Sequence, residues 1–247
     1  ISKIKSSQEV TNSEGIYFSF YTGDEVDTNY KKLIVGPEDT PYEGGFYFFK
    51  EQFPDQYPFF PMKVKICTQG GGVRLHPNLY TCGKCCFSFL GTWSGPPWTA
   101  CQNPMSVASS MRSVMTKYPL ENEPGWEKVK DKRTKLYAEL ITYFNLKWAV
   151  CEILENIPHG FICFKEAIYD NFIKNFDRYM EKLEYYKPYD GHKFSSPAYG
   201  FSIKYDYYDL KKRFLALKTK FIGSDKISSD IGLVSPCDVE KDICAGG

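Results

Sequence analysis

The sequence predicts an α+β fold: a four-stranded antiparallel meander packed on helices, followed by a helical carboxy-terminal extension. Three observations carry this. Over residues 15–68, short β-branched and aromatic runs alternate with Gly, Pro and Asp punctuation. A long stretch of low periodicity follows, and from Asn103 onward apolar residues recur at three- and four-residue spacing.

Residues 15–22, 31–35, 45–50 and 63–68 are the four expected strands. Residues 73–101 are rich in Gly, Pro and Asn, which argues for a long packed loop, and loops of that length in compact domains usually carry function. Asn103 is suited to cap a helix with Pro104 at its first position. Val107, Ala108, Met111, Val114, Met115 and Tyr118 would then form the face that covers the sheet. Trp126, Val129, Leu136, Tyr137, Leu140, Ile141 and Phe144 predict two helices or one bent helix over 124–154, broken by Pro158 and Gly160. Helices over 161–186 and 207–222 are separated by a Gly-, Ser- and Pro-rich stretch at 188–199. From Gly223 the chain is polar and small-residue-rich, as in a mobile tail. The expected division is a core over 1–145, a helical extension over 146–222 and a tail over 223–247.

Of the 247 residues, 43% are hydrophobic and 17% aromatic, enough for a full core. The 31 basic and 30 acidic side chains leave a net charge of +1. That balance supplies no electrostatic footprint for nucleic acid or an anionic membrane, and points to protein partners. Nine cysteines, an odd number bunched at 82, 85, 86 and 101, argue against a disulfide framework and for a reducing compartment. No stretch approaches the roughly 20 apolar residues of a spanning helix, and the opening Ile-Ser-Lys-Ile lacks an apolar signal core. A cytoplasmic or nuclear protein is expected. The chain opens on Ile1 rather than Met, as a trimmed piece of a longer protein would.

Cys86 follows the triplet His76-Pro77-Asn78 by eight residues. A thiolate accepts an acyl group and later yields it to an amine, and an Asn amide nearby can hydrogen-bond the oxyanion formed on the way. Free Cys has a pKa of about 8.5, so a few per cent is thiolate at neutral pH without a strong general base.

At these residues the chain resembles the ubiquitin-conjugating enzymes. GPEDTPYEGG at 36–45 is similar to that family's GPxDTPYxGG turn, and YPFFP at 57–61 to its YPFxPP loop. His76-Pro77-Asn78 with Gly83-Lys84-Cys85-Cys86 matches its HPNxYxxGKxC core. Trp98-Thr99 fits the start of its WSPA loop, displaced by an insertion over 91–98, although Ala100-Cys101 stand where the family has Pro-Ala. The insertion, the stretch 122–125, and parts of the extension at 148–151 and 205–207 resemble the longer, Z-type members. The family's first helix would lie upstream of Glu14, only part of it in this chain.

The resemblance implies a two-step acyl transfer. Cys86 takes ubiquitin, or a ubiquitin-like modifier, from an activating enzyme and passes it to a lysine of a protein substrate, usually with a ubiquitin ligase. ATP is spent upstream, so no cofactor and no metal are expected. Asn78 is the expected oxyanion donor, with a loop-holding role as its alternative. His76 is expected to fix the turn, Ser88 to line the approach to the thioester, and Glu123 to orient the incoming lysine. Phe59 and Trp98 would be exposed aromatics on neighbouring loops, suited to a ligase. Cys85, Cys67, Cys151 and Cys163 are read as core thiols, and Cys82 has no role.

Two other classes stand beside this. A zinc-binding interaction module could use His76, Cys82, Cys85, Cys86 and Cys101, but structural zinc sites show two spaced ligand pairs and the second is missing. An inactive, conjugating-enzyme-like binding module would typically lack the cysteine that this chain keeps.

Overall fold

The computed structural model describes residues 7–22 and 29–230. Five antiparallel strands form one sheet in sequence order: β1 (Ser7–Ser13), β2 (Ile16–Thr22), β3 (Asn29–Val35), β4 (Phe46–Gln52) and β5 (Lys63–Ile66). The four expected strands are β2 to β5, and β1 is an addition. Ser13 lies opposite Ile16 and Ser7 opposite Thr22. The linking residues Glu14 and Gly15 both have positive φ, 50° and 77°, the primed-turn geometry whose twist matches the strands it joins. Residues 7–13 are thus extended, so no part of a preceding helix lies in them. Residues 1–6 fall outside the described residues.

Phe46, Tyr47, Phe48 and Phe49 of β4 are all buried, as a continuous apolar run in a doubly covered strand should be. Phe48 stacks on Phe161 of the extension with ring centroids 4.4 Å apart. Its neighbour Tyr47, pointing to the other face, donates its hydroxyl to Asn145 Oδ1 at 2.7 Å. Lys32, opposite Phe49 on β3, is buried as well. Its ammonium donates to Glu51 and lies 3.9 Å from Met111 Sδ, since a charge in the core is tolerated only when paired.

Helix α1 (Pro104–Ser113) starts as expected. Asn103 Oδ1 accepts from the Ser106 N–H and Ser106 Oγ from the Asn103 N–H, both at 2.9 Å, a capping box with Pro104 next to it. Val107, Ala108 and Met111 face inward, and Arg112 Nε donates to Val35 O at 3.2 Å, which seats the helix on the sheet. It ends short of Val114, Met115 and Tyr118. The Val114 carbonyl accepts instead from His76 Nε2 and Asn122 Nδ2, at 3.0 and 3.3 Å, and so serves the loop that carries Cys86.

Residues 124–131 are turns rather than the expected start of a helix, because Asp131 caps the helix that follows: its carboxylate accepts from the Arg133 N–H at 2.8 Å. Helix α2 (Lys132–Phe144) continues without a break through a π-helical stretch (Asn145–Glu152) into α3 (Ile153–Glu155). A 3₁₀ turn (His159–Phe164) leads to α4 (Lys165–Glu184). The stretch expected only to separate two helices holds a hairpin of β6 (Lys193–Ser195) and β7 (Ser202–Lys204). The last helix, α5 (Tyr207–Asp230), passes the expected end at 222. The rest of the expected tail, 231–247, lies outside the described residues.

The extension is fastened to the turn at 36–45. Tyr179 OH donates to Gly44 O at 2.8 Å, and Arg178 and Lys182 each reach a different oxygen of Glu43 at 2.6 Å. Burial works to raise the Glu43 pKa, but Lys182 and Arg178 outweigh it and hold the carboxyl below its ordinary value.

Candidate active site

The loop carrying Cys86 is anchored before it begins. Gly70 lies against Trp148 so closely that a Cβ there would sit 2.1 Å from the indole, which only glycine avoids. Val73, Leu75 and Leu79 are buried. Tyr42 OH donates to Leu75 O at 2.8 Å and Tyr137 OH to Arg74 O at 2.5 Å. Gly83, at φ 91°, reverses the chain between Tyr80 and Lys84. Cys85 then points into the core, where burial pushes its thiol up to about 12, in keeping with a core residue.

Cys86 and Asn78 clasp each other. The Cys86 N–H donates to Asn78 O at 2.8 Å, and Asn78 Nδ2 donates to Cys86 O at 2.7 Å. An amide has two N–H groups, and one of them is committed to the loop. The Asn78 N–H donates to His76 Nδ1 at 3.0 Å. That nitrogen must be unprotonated, so Nε2 carries the hydrogen that Val114 O accepts. Burial lowers the His76 pKa to about 4, against the opposing effect of the Val114 bond. His76 is therefore neutral near pH 7 and holds the turn, leaving it no part in proton transfer.

Cys86 is 2% exposed, and its thiol donates to Thr92 O at 3.0 Å. Thr92 Oγ1 accepts from the Phe87 N–H at 2.9 Å and donates to Cys85 O at 2.9 Å, so the first residues of the insertion lock the backbone around the sulfur. A crevice of about 20 Å³, room for one water, opens beside it, walled by Arg74, Asn78, Tyr80, Cys86, Trp93 and Glu123 among others.

Glu123 thus shares the crevice with Cys86 and Asn78. It is half-buried, and its Oε2 accepts from Tyr199 OH at 2.5 Å. Ser88 is not among the crevice residues; Gly95 of the insertion packs over it, with a Cβ there falling 3.0 Å from the Ser88 Cβ. Phe59 is 77% exposed. Trp98 lies on the neighbouring loop but is half-buried, not exposed: it packs against the core and donates its indole N–H to Pro58 O at 2.8 Å. Phe60 and Trp93 are the other exposed aromatics on these loops. Among the described residues, no group of three or more His, Cys, Asp or Glu is placed to hold a metal, and both ring nitrogens of His76 are spent on backbone groups.

Sequence reasoning missed Thr92, Arg74 and Tyr199. Thr92 is the second residue of an insertion that the family pattern does not cover. Arg74, whose guanidinium lies 3.6 Å from the Tyr80 ring and 4.3 Å from that of Tyr199, sits two residues before His76 without a motif of its own. Tyr199 belongs to a hairpin of three-residue strands, too short to show a period.

A family model described as ubiquitin-conjugating enzyme matches residues 4–143. The chain is similar to ubiquitin-conjugating enzyme E2 Z of Danio rerio, 43% identical over 166 residues that make up 66% of this chain and 48% of that protein. It is 45% identical to E2 Z of Homo sapiens over 139 residues, 55% of this chain and 39% of that protein. Putative ubiquitin-conjugating enzyme E2 38 of Arabidopsis thaliana is 30% identical over 211 residues, 81% of this chain and 59% of that one. The resemblance to Z-type members is thereby borne out. The chain spans about half the length of the curated relatives it matches.

Proposed function

This chain belongs to the ubiquitin-conjugating enzyme family, and we propose that it carries ubiquitin or a ubiquitin-like modifier as a thioester on Cys86. In the first step, Cys86 Sγ attacks the thioester that joins the modifier's terminal glycyl carbonyl to an activating enzyme. A new S–C bond forms and the activating enzyme leaves as its thiol. In the second, a substrate lysine, having lost a proton, attacks the same carbonyl; an amide forms and Cys86 leaves as a thiol. The core over 1–145 performs the chemistry, Phe59 and Trp98 belong to the face that meets a ligase, and the reaction takes place in the cytoplasm, the nucleus or both.

The observation that carries this reading is the Cys86–Asn78 clasp. It keeps a carboxamide beside the one cysteine that shares the crevice with an acidic side chain. Asn78 donates its remaining N–H to the oxyanion, and Glu123 receives the lysine ammonium before it loses its proton. His76 keeps the turn in register as a neutral imidazole. Since Cys86 is nearly buried and its thiol bonds Thr92 O, charging requires the start of the insertion to shift from the sulfur.

The test is charging with activating enzyme, ATP and modifier. Cys86 should acquire an adduct that reductant removes, Cys86→Ser an adduct that resists reductant and yields to base, and Cys86→Ala none. An adduct that persists in Cys86→Ala would show that another residue carries the modifier.

A further inference from the structure

We infer that Tyr199 is a positioning residue of the transfer step. From the hairpin of the extension it holds the Glu123 carboxylate at the crevice, so that the extension completes the site that receives the amine. This rests on the proposed roles of Cys86 and Glu123.

Four observations support it. The Tyr199 hydroxyl donates to Glu123 Oε2 at 2.5 Å, which leaves Oε1 as the oxygen an ammonium would meet. The Tyr199 ring is held from two directions: the Arg74 guanidinium lies 4.3 Å from its centroid, and Tyr137 of α2 meets it edge-on at 5.9 Å. Arg74 is itself a wall of the crevice, so Tyr199 supports two crevice residues of opposite charge at once. Finally, Tyr199 has φ 65°, the left-handed region that a bulky side chain rarely adopts.

That conformation places Tyr199 at the tip of the hairpin, with its side chain carried to the crevice. The tip of the hairpin runs Ser196-Pro197-Ala198-Tyr199-Gly200-Phe201 and closes with the Ser196 N–H on Phe201 O at 2.8 Å. Gly200 follows Tyr199 at φ 64°, and glycine takes that conformation freely. A bulky aromatic in the same region persists only where its surroundings over-determine it, and such positions cluster at functional sites. The tight tip of the hairpin, where Tyr199 and Gly200 both have positive φ, and the contacts with Glu123, Arg74 and Tyr137 together hold this one, and two of those three contacts are crevice residues.

The experiment follows single-turnover discharge of ubiquitin already loaded on Cys86, to free lysine and, separately, to hydroxylamine. Hydroxylamine is small and uncharged at neutral pH and has no ammonium for Glu123 to receive. Tyr199→Phe keeps the ring and removes only the donor. It should discharge to lysine about three- to tenfold more slowly, the range set by the net worth of one hydrogen bond, with discharge to hydroxylamine as in the unaltered chain. Glu123→Gln should slow lysine discharge as well, and Tyr199→Phe added to Glu123→Gln should slow it no further, because the two act through one group. Tyr199→Phe that discharges to lysine normally, slows both amines alike, or adds its full effect to Glu123→Gln overturns the inference while Cys86 keeps its role. Failure of the unaltered chain to load Cys86, or normal lysine discharge by Glu123→Gln, overturns the reading beneath it.

Discussion

Asn145 donates its side-chain amide to the carbonyl of Glu43 at 2.8 Å, from the residue at which α2 widens into its π-helical stretch. Its Oδ1 meanwhile accepts from Tyr47, and a Cβ on Gly45 would fall 1.7 Å from that same oxygen. The turn at 36–45 thus closes around Asn145 and needs glycine to do so. The same turn takes Arg178 and Lys182 of α4 on its Glu43 carboxylate. Core and extension therefore converge on one buried polar knot.

Replacing Asn145 with Leu keeps the branched outline but neither polar group, and leaves the Tyr47 hydroxyl and the Glu43 carbonyl buried without their partner. Each such group costs about 1–3 kcal/mol, so urea unfolding should show a loss of roughly 2–6 kcal/mol. Gly45→Ala should be at least as damaging, because the neighbour it meets is itself hydrogen-bonded. A loss below about 1 kcal/mol in both variants would mean that the knot does not hold the turn.

Much of this was legible beforehand, and the parts that were not share a cause. The FYFF run of β4, the Asn103-Pro104 start and the spacing from Asn78 to Cys86 are local signals, and each is found where the residues placed it. The burial of Lys32 was invisible, since its partner Glu51 lies on another strand and a lone Lys reads as solvated. Asn145 falls inside the helical run expected to reach 154, and the helix does pass through it to Glu155; its bonds to Tyr47 and Glu43 were not legible, because both partners are about 100 residues away in sequence. The turns at 124–131 were hidden because Trp126 and Val129 keep helical spacing outside a helix. β1 could have been found from Glu14-Gly15 as a two-residue link. Tyr199 could not, because only the tertiary arrangement of the hairpin brings it to Glu123.

Acid should weaken the fold in two windows. His76 is buried and neutral, with a pKa of about 4 against an ordinary 6.5. The unfolded chain therefore binds a proton first as pH falls, and the stability present above pH 6.5 is lost progressively toward pH 4, by roughly 3 kcal/mol at most. Glu43 has the opposite origin and the same sign. Its carboxyl is held below the ordinary 4.5 by Lys182 and Arg178, so its contribution is present above pH 4.5 and lost as pH falls through the lowered value. Melting followed from pH 7 to 4 should show the first decline, and His76→Gln should flatten it. An unchanged slope in that variant would assign the decline to other groups.

Thr92→Val tests the lock around the sulfur. Valine matches the shape but removes the hydroxyl that bonds the Phe87 N–H and the Cys85 carbonyl. The expected cost is about 1–3 kcal/mol, and for a chain of this size each kcal/mol lowers Tm by roughly 2–4 °C. Calorimetry that finds no shift would show that the insertion does not brace the Cys86 loop.

Asn78→Ala separates two roles that the clasp makes simultaneous. The amide bond to the Cys86 carbonyl is a loop interaction, and losing it costs on the order of 1 kcal/mol. An oxyanion donor acts only while the carbonyl is under attack, and losing one typically costs about 10²–10³ in rate. A purely structural Asn78 would lower loading and discharge together, in proportion to the folded fraction, because both need the same loop. If Asn78 also serves the oxyanion, discharge of the loaded variant to free lysine should fall by two orders of magnitude or more, while the melting temperature falls only a few degrees. The measurement is the discharge rate per molecule of thioester, taken well below the melting transition. A rate within about fivefold of the unaltered chain would confine Asn78 to the loop, and the oxyanion would then need another donor.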